Sequence, residues 1–493
     1  MSTEDKSVRK RYEQLADELA RQILDGVLRP GDRLPSVRAT CEARQLSPST
    51  VFQAYYLLEA KGLVRAMPRS GYFVNSHAKK RAPEPARSTP REGAHAVDIT
   101  DLVFEVLGAA KSREIVPLGS PCPHPQLFPL DALRRSLTTS TRKLSEWSAV
   151  DDLPPGNERL RQQIGKRYLA HGLDLSLDEI VLTNGAMEAL SLSLQAVARP
   201  GDAVVVESPC FYAALQSLER LGLVAIEVPT HPGEGADLSE LARIVERDKP
   251  KACWFMTNFQ NPLGCSMSRE KKRALVQLLA RHAVPLIEDD VYGELYHGGR
   301  APDSAKTFDR SGLVLHCCSF SKSLAPGYRV GWVAAGRYGR EVRRLKLMTS
   351  LSGSIPAQAA LADYLQQGGY DRHLRRLREV LSNQKQALVD AVTRHFPVGT
   401  RLTRPEGGYF VWADLPWEAT DAMTLHRLAL AEQISIAPGP MFSNQGDFRN
   451  CLRLNFGHPW GPQLEKAVQT VGRLARPRPR QHVPPAPVDD RAI

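Results

Sequence analysis

The sequence has no apolar run near the ~18–20 residues that a membrane-spanning helix needs. Its charged first residues are followed by no apolar signal segment. Its eight cysteines are scattered, without a Cys-x-x-Cys pair or a His/Cys spacing typical of a metal site. It also lacks internal repeats. These absences argue against a membrane protein, a disulfide scaffold, a zinc module and a solenoid. They predict a cytoplasmic protein with reduced thiols and no metal.

The composition that is present fits a large globular chain with a basic surface. Its 493 residues allow more than one domain, and a hydrophobic fraction of 42% supports a sizeable core. The net charge of +11 permits a polyanionic partner without identifying one. Residues 1–80 hold 14 Lys and Arg against 9 Asp and Glu, so part of the excess lies near the N-terminus.

The chain divides into four regions that differ in composition and in hydrophobic pattern. Residues 8–76 are compact and patterned, whereas residues 77–112 are Pro-rich and polar and predict an extended linker, with one possible short helix near its end. From 113 to 476, buried-strand patterns alternate with amphipathic helices, which predicts an α/β fold with a mainly parallel sheet, helices on both faces and a smaller C-terminal subdomain. Residues 477–493 predict a disordered tail.

The N-terminal region predicts three short helices and a β-hairpin. Apolar residues recur at helical spacing over 12–24. Ser36 can cap a second helix, and Ser47 can cap a third that has Pro48 at its first position. Two short apolar strands follow, over 63–65 and 71–74, so the pattern is typical of a winged helix-turn-helix.

The start of the third helix carries short polar side chains that can approach base edges in a major groove. Arginines on the surrounding segments stand where phosphates would pass. The alternative is a helical interaction module whose polar face meets water. The predicted DNA-binding residues are Arg33, Ser36, Arg38, Ser47, Ser49, Thr50, Gln53 and Arg69.

The segment 319–329 places a lysine among serines and an arginine, the groups needed to hold an aldehyde cofactor that carries a phosphate. Lys322 can form a Schiff base with such an aldehyde, and the hydroxyls and guanidinium can take up the phosphate charge. A glycine turn at 183–190 offers free backbone N–H groups to a phosphate as well. Each segment alone could be an ordinary surface loop or turn.

Other polar and aromatic residues follow predicted strands. Asp289 can pair with a protonated pyridine nitrogen. Asn261 and Tyr292 can reach a phenolate oxygen on the ring, and Phe211 can stack on its face. Arg453 can hold a substrate carboxylate. The alternatives are a helix N-cap for Asp289, a core aromatic for Phe211 and a structural ion pair for Arg453.

Two resemblances connect these features. The pattern at 30–38 and 46–51 resembles the DNA-binding domain of the GntR family of bacterial regulators, over about 70 residues. The order glycine turn, aromatic, Asn-Pro-x-Gly, Asp-x-x-Tyr, Ser-x-Ser-Lys, Arg resembles fold-type-I aminotransferases dependent on pyridoxal 5′-phosphate, over residues 115–475. That resemblance implies a set of cofactor-binding residues: Gly185, Ala186, Met187, Phe211, Asn261, Asp289, Tyr292, Ser319, Ser321, Lys322 and Arg329.

Together the two halves have the layout of the MocR-type regulators. The resemblance implies a homodimer that reads two DNA half-sites and senses an amino compound, or the cofactor itself, through aldimine exchange at Lys322. The alternative is an aminotransferase acting on an amino acid, with DNA binding secondary. One departure stands out: such enzymes often carry a tyrosine that reaches the neighbouring subunit's phosphate, and here that position is near Asp151.

Overall fold

A computed structural model describes residues 11–29, 31–60, 62–67, 70–74, 82–109, 114–149, 153–298 and 300–477. The predicted tail lies almost wholly outside these ranges, as does Asp151. None of the described helices combines the length and apolar character of a membrane span. All eight cysteines are free thiols, and six of them are buried.

The N-terminal region folds as three helices and a hairpin, with an apolar core of its own. Ser36 caps the second helix by accepting from the Ala39 N–H at 3.1 Å. Inside this core the Tyr55 hydroxyl meets Thr40 at 2.7 Å and donates to the Pro35 carbonyl at 2.8 Å, which ties the third helix to the second. The elements are α1 (Arg11–Leu24), α2 (Val37–Arg44), α3 (Pro48–Ala60), β1 (Val64–Met67) and β2 (Gly71–Val74).

The described part of the expected linker lies against the larger domain. Residues 82–90 are extended, as their composition predicts, and the chain then forms β3 (Ala94–Ala96) and α4 (Thr100–Ala109). Strand β3 pairs antiparallel with residues 224–226 at the edge of the main sheet. The short helix expected near 97–107 corresponds to α4, whose first turn donates to Glu219 at 3.0 Å.

The remaining residues alternate between strands and helices. The strands are β4 (Val116–Pro117), β5 (Ile180–Thr183), β6 (Ala203–Ser208), β7 (Val224–His231), β8 (Gly235–Ala236), β9 (Ala252–Phe255), β10 (Leu286–Asp289), β11 (Val314–Ser319), β12 (Gly331–Ala334), β13 (Arg401–Leu402), β14 (Phe410–Asp414), β15 (Ile434–Ser435), β16 (Ala437–Pro438) and β17 (Cys451–Asn455). The helices are α5 (Leu130–Thr141), α6 (Glu158–Ala170), α7 (Ala186–Val197), α8 (Tyr212–Arg220), α9 (Leu238–Asp248), α10 (Arg269–Arg281), α11 (Gly339–Thr349), α12 (Ile355–Gln366), α13 (Gly369–His395), α14 (Ala422–Ala431) and α15 (Pro462–Leu474).

The main sheet has the strand order β3-β7-β6-β9-β10-β11-β12-β5, with β8 paired to β7. Strands β7, β6, β9, β10 and β11 are mutually parallel, while β12 runs antiparallel to both of its neighbours. The central strands are buried along their whole length, as expected for a parallel sheet covered on both faces. The expected α/β fold is confirmed.

A smaller C-terminal unit follows the long helix α13. It is a four-stranded sheet with the order β13-β14-β17-β16, and α14 and α15 pack beside it. Strand β15 pairs with β4, so the start of the large domain is joined to this unit. The contact brings residues 117–123 to the edge of the main sheet, where the functional side chains lie.

Candidate functional site

Five strands of the main sheet end at one edge, because β5, β6, β9, β10 and β11 all run in the same direction. The chain leaves each of these ends through a loop. Carboxyl ends of parallel strands form the usual binding crevice of an open α/β sheet. Most of the residues predicted at separate places in the sequence are therefore carried by neighbouring strand ends and loops, whereas Arg453 comes from β17 of the C-terminal unit.

Lys322 lies in the loop after β11, with its amine in the cleft between the main sheet and the C-terminal unit. Its Nζ donates to the Pro121 carbonyl at 2.9 Å and approaches the Cys122 thiol at 3.8 Å. Burial lowers the pKa of Lys322, an effect that the nearby Cys122 opposes. An amine with a lowered pKa is more readily neutral, which is the form that attacks an aldehyde.

Asp289 ends β10 at the floor of this cleft. It is fully buried, and neither carboxylate oxygen has a hydrogen-bond partner among the described residues. Burial raises the pKa of Asp289 to about 7. A carboxylate in this position needs a cationic partner, and a protonated ring nitrogen would supply one.

Arg453 reaches the cleft from β17 and is also fully buried. Its Nη1 donates to the Asn261 side-chain oxygen at 3.0 Å, and its Nη2 donates to the Gly119 carbonyl at 2.8 Å. Its Nε has no partner among the described residues. Burial lowers the pKa of Arg453. Since the oxygen of Asn261 is engaged, the amide nitrogen is the group that remains to donate.

Aromatic rings line the same cleft. Tyr292 is buried and meets the ring of Tyr409 edge-on, with centroids 5.3 Å apart. Burial raises the pKa of Tyr292, so its hydroxyl stays protonated as a donor. Phe211, half-buried after β6, packs against Tyr212 with ring centroids 4.9 Å apart. The aromatic predicted to cover a flat ring is thus on a loop beside the floor.

The predicted phosphate-binding residues converge on the start of α7. Gly185 has a φ of +83°, and a Cβ added to it would lie 2.6 Å from the Arg329 guanidinium. Arg329 donates to the Asn184 carbonyl at 3.1 Å. Ser321 Oγ is buried without a partner among the described residues. The remaining members of this group are Ala186 and the exposed Met187 on the first turn of α7, and the buried Ser319 at the end of β11.

Sequence reasoning missed the segment 119–122, which crosses the top of the site. Its carbonyls accept hydrogen bonds from several side chains of the larger domain. Gly119 accepts from Arg453, Ser120 and Cys122 accept from Asn455 at 2.8 and 2.9 Å, and Pro121 accepts from Lys322 and the Tyr409 hydroxyl. The signal in the sequence is weak, because carbonyl acceptors are present at every residue. Gly119 is the exception, since a Cβ there would lie 2.5 Å from the Ile436 backbone.

A second missed group lies behind Asp289. Trp332 donates to the Tyr168 hydroxyl at 2.9 Å, Tyr168 meets His316 Nδ1 at 2.6 Å, and His316 Nε2 meets Asp290 at 3.0 Å. Because an indole can only donate, the simplest assignment is a chain of donors that ends on the Asp290 carboxylate. Every buried polar side-chain atom in this group has a hydrogen-bond partner, unlike those on the cleft side of the site.

The contrast supports a bound cofactor. Buried polar atoms are nearly always paired in folded proteins. Eight described residues nevertheless carry buried polar atoms without a partner among the described residues, and three of them, Asp289, Ser321 and Arg453, are predicted site residues. A pyridine nitrogen, a phosphate and a carboxylate are the matching groups. The residues therefore fit pyridoxal 5′-phosphate together with an amino acid.

The predicted DNA surface lies on the head, at the start of α3. The Ser47 hydroxyl is hydrogen-bonded to the hydroxyl of Ser49 at 2.9 Å and to that of Thr50 at 2.8 Å. Gln53 is exposed on the next turn. Arg38 is 90% exposed and pairs with Glu42 at 3.0 Å. Arg33 lies against the hairpin at Gly71, whereas the prediction for Arg69 falls outside the described residues.

Comparison with known proteins gives a family match for each of these two regions. Residues 152–471 match the family of class I and II aminotransferases, and residues 11–74 match the gntR family of bacterial regulatory proteins. In Escherichia coli K12, the uncharacterized HTH-type transcriptional regulator YdcR is 48% identical over 95% of this chain and its own full length. YjiR of the same organism, also an uncharacterized HTH-type transcriptional regulator, is 38% identical over 94% of this chain and 98% of its own.

A solved structure shares the larger domain. Kynurenine aminotransferase from Pyrococcus horikoshii, crystallised in complex with PMP, aligns with a TM-score of 0.71 at 28% identity. The alignment covers 76% of this chain and 94% of the aminotransferase. The fold-type-I architecture expected from the sequence is confirmed.

Replacing Asp289 with asparagine should stabilise the empty protein at alkaline pH. The carboxyl has a raised pKa when folded and an ordinary one when unfolded, so the folded state holds more protons between about pH 4 and 7. The stability that the protonated carboxyl contributes to the folded state is therefore lost as pH rises from about 4 to about 7. We expect Asp289→Asn to raise the free energy of unfolding by on the order of a few kcal/mol at about pH 8, and by little near pH 4.

Thermal unfolding of the empty protein at both pH values measures this difference. Asp131→Asn, at a side chain that is 80% exposed and pairs with Arg134 at 3.3 Å, is the control and should change both values by the same small amount. Equal stability of Asp289→Asn and the unsubstituted protein at alkaline pH would contradict the assignment of an unpaired buried carboxyl.

Proposed function

We infer the function from the family: the chain belongs to the class I and II aminotransferase family and carries a GntR-family head, which is the layout of the MocR-type regulators. We propose that it is a transcriptional regulator that binds DNA and responds to an amino compound through pyridoxal 5′-phosphate. The unpaired buried polar atoms of Asp289, Ser321 and Arg453, gathered at one edge of the sheet, are the observation that carries the cofactor half of this proposal.

When bound, the cofactor supplies an aldehyde for covalent capture by an amine and a cationic ring that withdraws electrons. Lys322 is the amine that captures it, and its lowered pKa favours the neutral, nucleophilic form. Asp289 holds a proton at the ring nitrogen. Asn261 and Tyr292 donate to the ring oxygen, and Phe211 covers one face of the ring.

The phosphate is held by charge and by backbone dipole. The start of α7 offers free N–H groups, Ser319 and Ser321 offer hydroxyls, and Arg329 offers a guanidinium. An effector with a carboxylate is held by Arg453, whose Nε is free of partners among the described residues. The effector class that fits is therefore an amino acid or a related amine.

The names of the relatives favour regulation over metabolism. Both Escherichia coli relatives span nearly the whole chain, head included, and are named as transcriptional regulators. The aminotransferase of known structure aligns with 76% of the chain. An effector shifts the protein between two arrangements by no more than its difference in affinity for them, typically about 1–3 kcal/mol.

A homodimer is part of the proposal. Large apolar side chains are exposed near the phosphate end of the cleft: Leu153, Met348 and Leu351 are 62%, 68% and 57% exposed. The loop after Leu351 lies beside the cleft, since Asn184 donates to the Ser352 carbonyl at 3.3 Å. Exposed apolar clusters of this kind mark protein interfaces, and a second copy of the chain is the partner that the family layout implies.

Replacing Lys322 with alanine should abolish covalent capture of the cofactor. With pyridoxal 5′-phosphate added, the unsubstituted protein should gain the absorbance of the bound cofactor. After borohydride reduction, mass spectrometry should find the cofactor on the peptide that contains residue 322. Lys322→Ala should show neither signal, whereas the control Lys143→Ala, on an exposed surface, should keep both. Covalent label at another lysine would refute this role for Lys322.

Two kinds of substitution in the head should affect DNA binding differently. Thr50→Ala and Gln53→Ala should reduce discrimination between operator and unrelated DNA by about 1–3 kcal/mol, since they remove base-edge contacts. Arg38→Ala should weaken binding to all duplexes and reduce the salt slope by about one phosphate contact. Titration of labelled duplexes at several salt concentrations, with Arg449→Ala as a charge-matched control, measures both. Unchanged binding in every variant would refute the assignment of the head.

Placing a charge in the apolar cluster should break the dimer. Met348→Lys would bury an unpaired ammonium at the interface, so we expect a mostly monomeric protein by analytical ultracentrifugation. Val398→Lys, at a side chain 99% exposed outside the cluster, should remain dimeric. A dimer of unchanged affinity in Met348→Lys would place the interface elsewhere.

A further inference from the structure

Ser88 belongs to the segment between the head and the larger domain, yet its side chain is buried in the larger domain, with 8% exposed. Its hydroxyl accepts from the Thr230 N–H at 2.8 Å and donates to the Ser208 carbonyl at 2.6 Å. Its own N–H donates to the Thr230 carbonyl at 3.2 Å. A residue outside the aminotransferase match is thus hydrogen-bonded to the ends of two neighbouring strands of the main sheet, β6 and β7.

These bonds complete the sheet where β6 and β7 separate. In the parallel register, Ser208 lies opposite Pro229, so the Ser208 carbonyl and the Thr230 N–H are the pair that the ladder would join directly. The Ser88 hydroxyl stands between them and bonds to both. Thr230 Oγ1 in turn accepts from the Ser208 N–H at 3.1 Å. Both the N–H and the carbonyl of Ser208 are therefore hydrogen-bonded.

The chain leaves β6 directly after Ser208 and reaches Phe211 three residues later. Within that loop the Pro209 carbonyl accepts from Gln260 at 2.7 Å, and the Cys210 N–H donates to the Phe442 carbonyl at 2.9 Å. The loop is tightly fixed at each step. Loss of the Ser88 bond to the Ser208 carbonyl would release the first of these anchors, three residues before Phe211, and so loosen the start of the loop that carries the ring.

Other contacts fasten the same segment along its length. Arg87 forms an ion pair with Asp237. Glu84 lies 3.7 Å from Arg404, and the Leu402 N–H donates to the Pro83 carbonyl at 2.9 Å. Seven residues separate Val74, the last residue of the head's hairpin, from Ala82. Such a connection spans at most about 28 Å, so the position of the segment limits where the head can stand.

We propose that Ser88 is a positioning residue of the cofactor site, supplied by the segment that carries the DNA-binding head. Its hydroxyl sets the end of β6 and, through it, the loop that presents Phe211 to the cofactor. The packing of Ser88 into the larger domain and the binding of the cofactor therefore favour each other, because linkage between two binding events is reciprocal. This inference rests on the proposed function and specifies how its two halves communicate.

The test uses the full-length protein, pyridoxal 5′-phosphate and a duplex from upstream of the protein's own gene. Dissociation constants are measured for the cofactor, and for the duplex with and without the cofactor. Ser88→Ala should bind the cofactor about tenfold more weakly, as expected when one buried hydrogen-bonded bridge is lost. The factor by which the cofactor changes DNA affinity should fall towards one. Thr89→Ala, at the exposed neighbouring residue, should match the unsubstituted protein in both.

The DNA ratio is the readout that a merely structural role would not move. Unaltered cofactor affinity and an unaltered ratio in Ser88→Ala would overturn the inference. Should that variant fail to fold, hydrogen exchange of the unsubstituted protein decides: cofactor addition should slow exchange at Ser88 and Thr230 as well as around Phe211. Protection around Phe211 alone would equally overturn it.

Failure of the inference is distinguishable from failure of the proposed function. If the unsubstituted protein captures the cofactor at Lys322 and binds the duplex, the proposed function stands whatever Ser88→Ala does. If it does neither, the proposed function fails first.

Discussion

A buried carboxylate that lacks a partner is the constraint on which the rest of the site depends. Asp289 ends a central strand with no exposed surface, and neither oxygen is hydrogen-bonded within the part of the chain that the structure describes. Burying such a group is costly unless something compensates it. The parallel sheet permits this arrangement because the rest of β10 is fully packed and the cost falls at one residue. Under the proposed function, a cationic ring bound in the cleft would be that compensation, and stability of the cofactor-free protein would be exchanged for affinity.

Asn261 connects the two ligands of the cleft. Its side-chain oxygen accepts from Arg453, which leaves its amide nitrogen for the ring oxygen of the proposed cofactor. Arg453 also donates to Gly119, in the segment that covers Lys322. A carboxylate that binds Arg453 would compete for the guanidinium N–H groups that now donate to Asn261 and to Gly119. An effector would thus be felt at the ring oxygen and at the covering segment together, without any movement of the sheet.

How much the sequence predicts depends on whether a feature is local. The caps of α2 and α3, the strand ends at Asp289 and Ser319, and the loop with Lys322 are encoded by neighbouring residues, and the sequence locates them. Local sequence patterns do not reveal the covering segment at 119–122, because it contacts Lys322 through the backbone carbonyl of Pro121, 201 positions away. Ser88 is hidden by composition, since a Pro-rich polar stretch gives no periodic signal even when it is docked.

The docking of residues 82–109 changes what kind of communication the chain allows. A free linker would pass on little beyond the local concentration of the head. A segment that contributes a hydroxyl to the end of β6 and a strand to the edge of the main sheet is packed as part of the larger domain. Coupling needs an element with two arrangements that both sites bias. Among the described segments, this one lies between the head and the site in the chain and also contacts the end of β6.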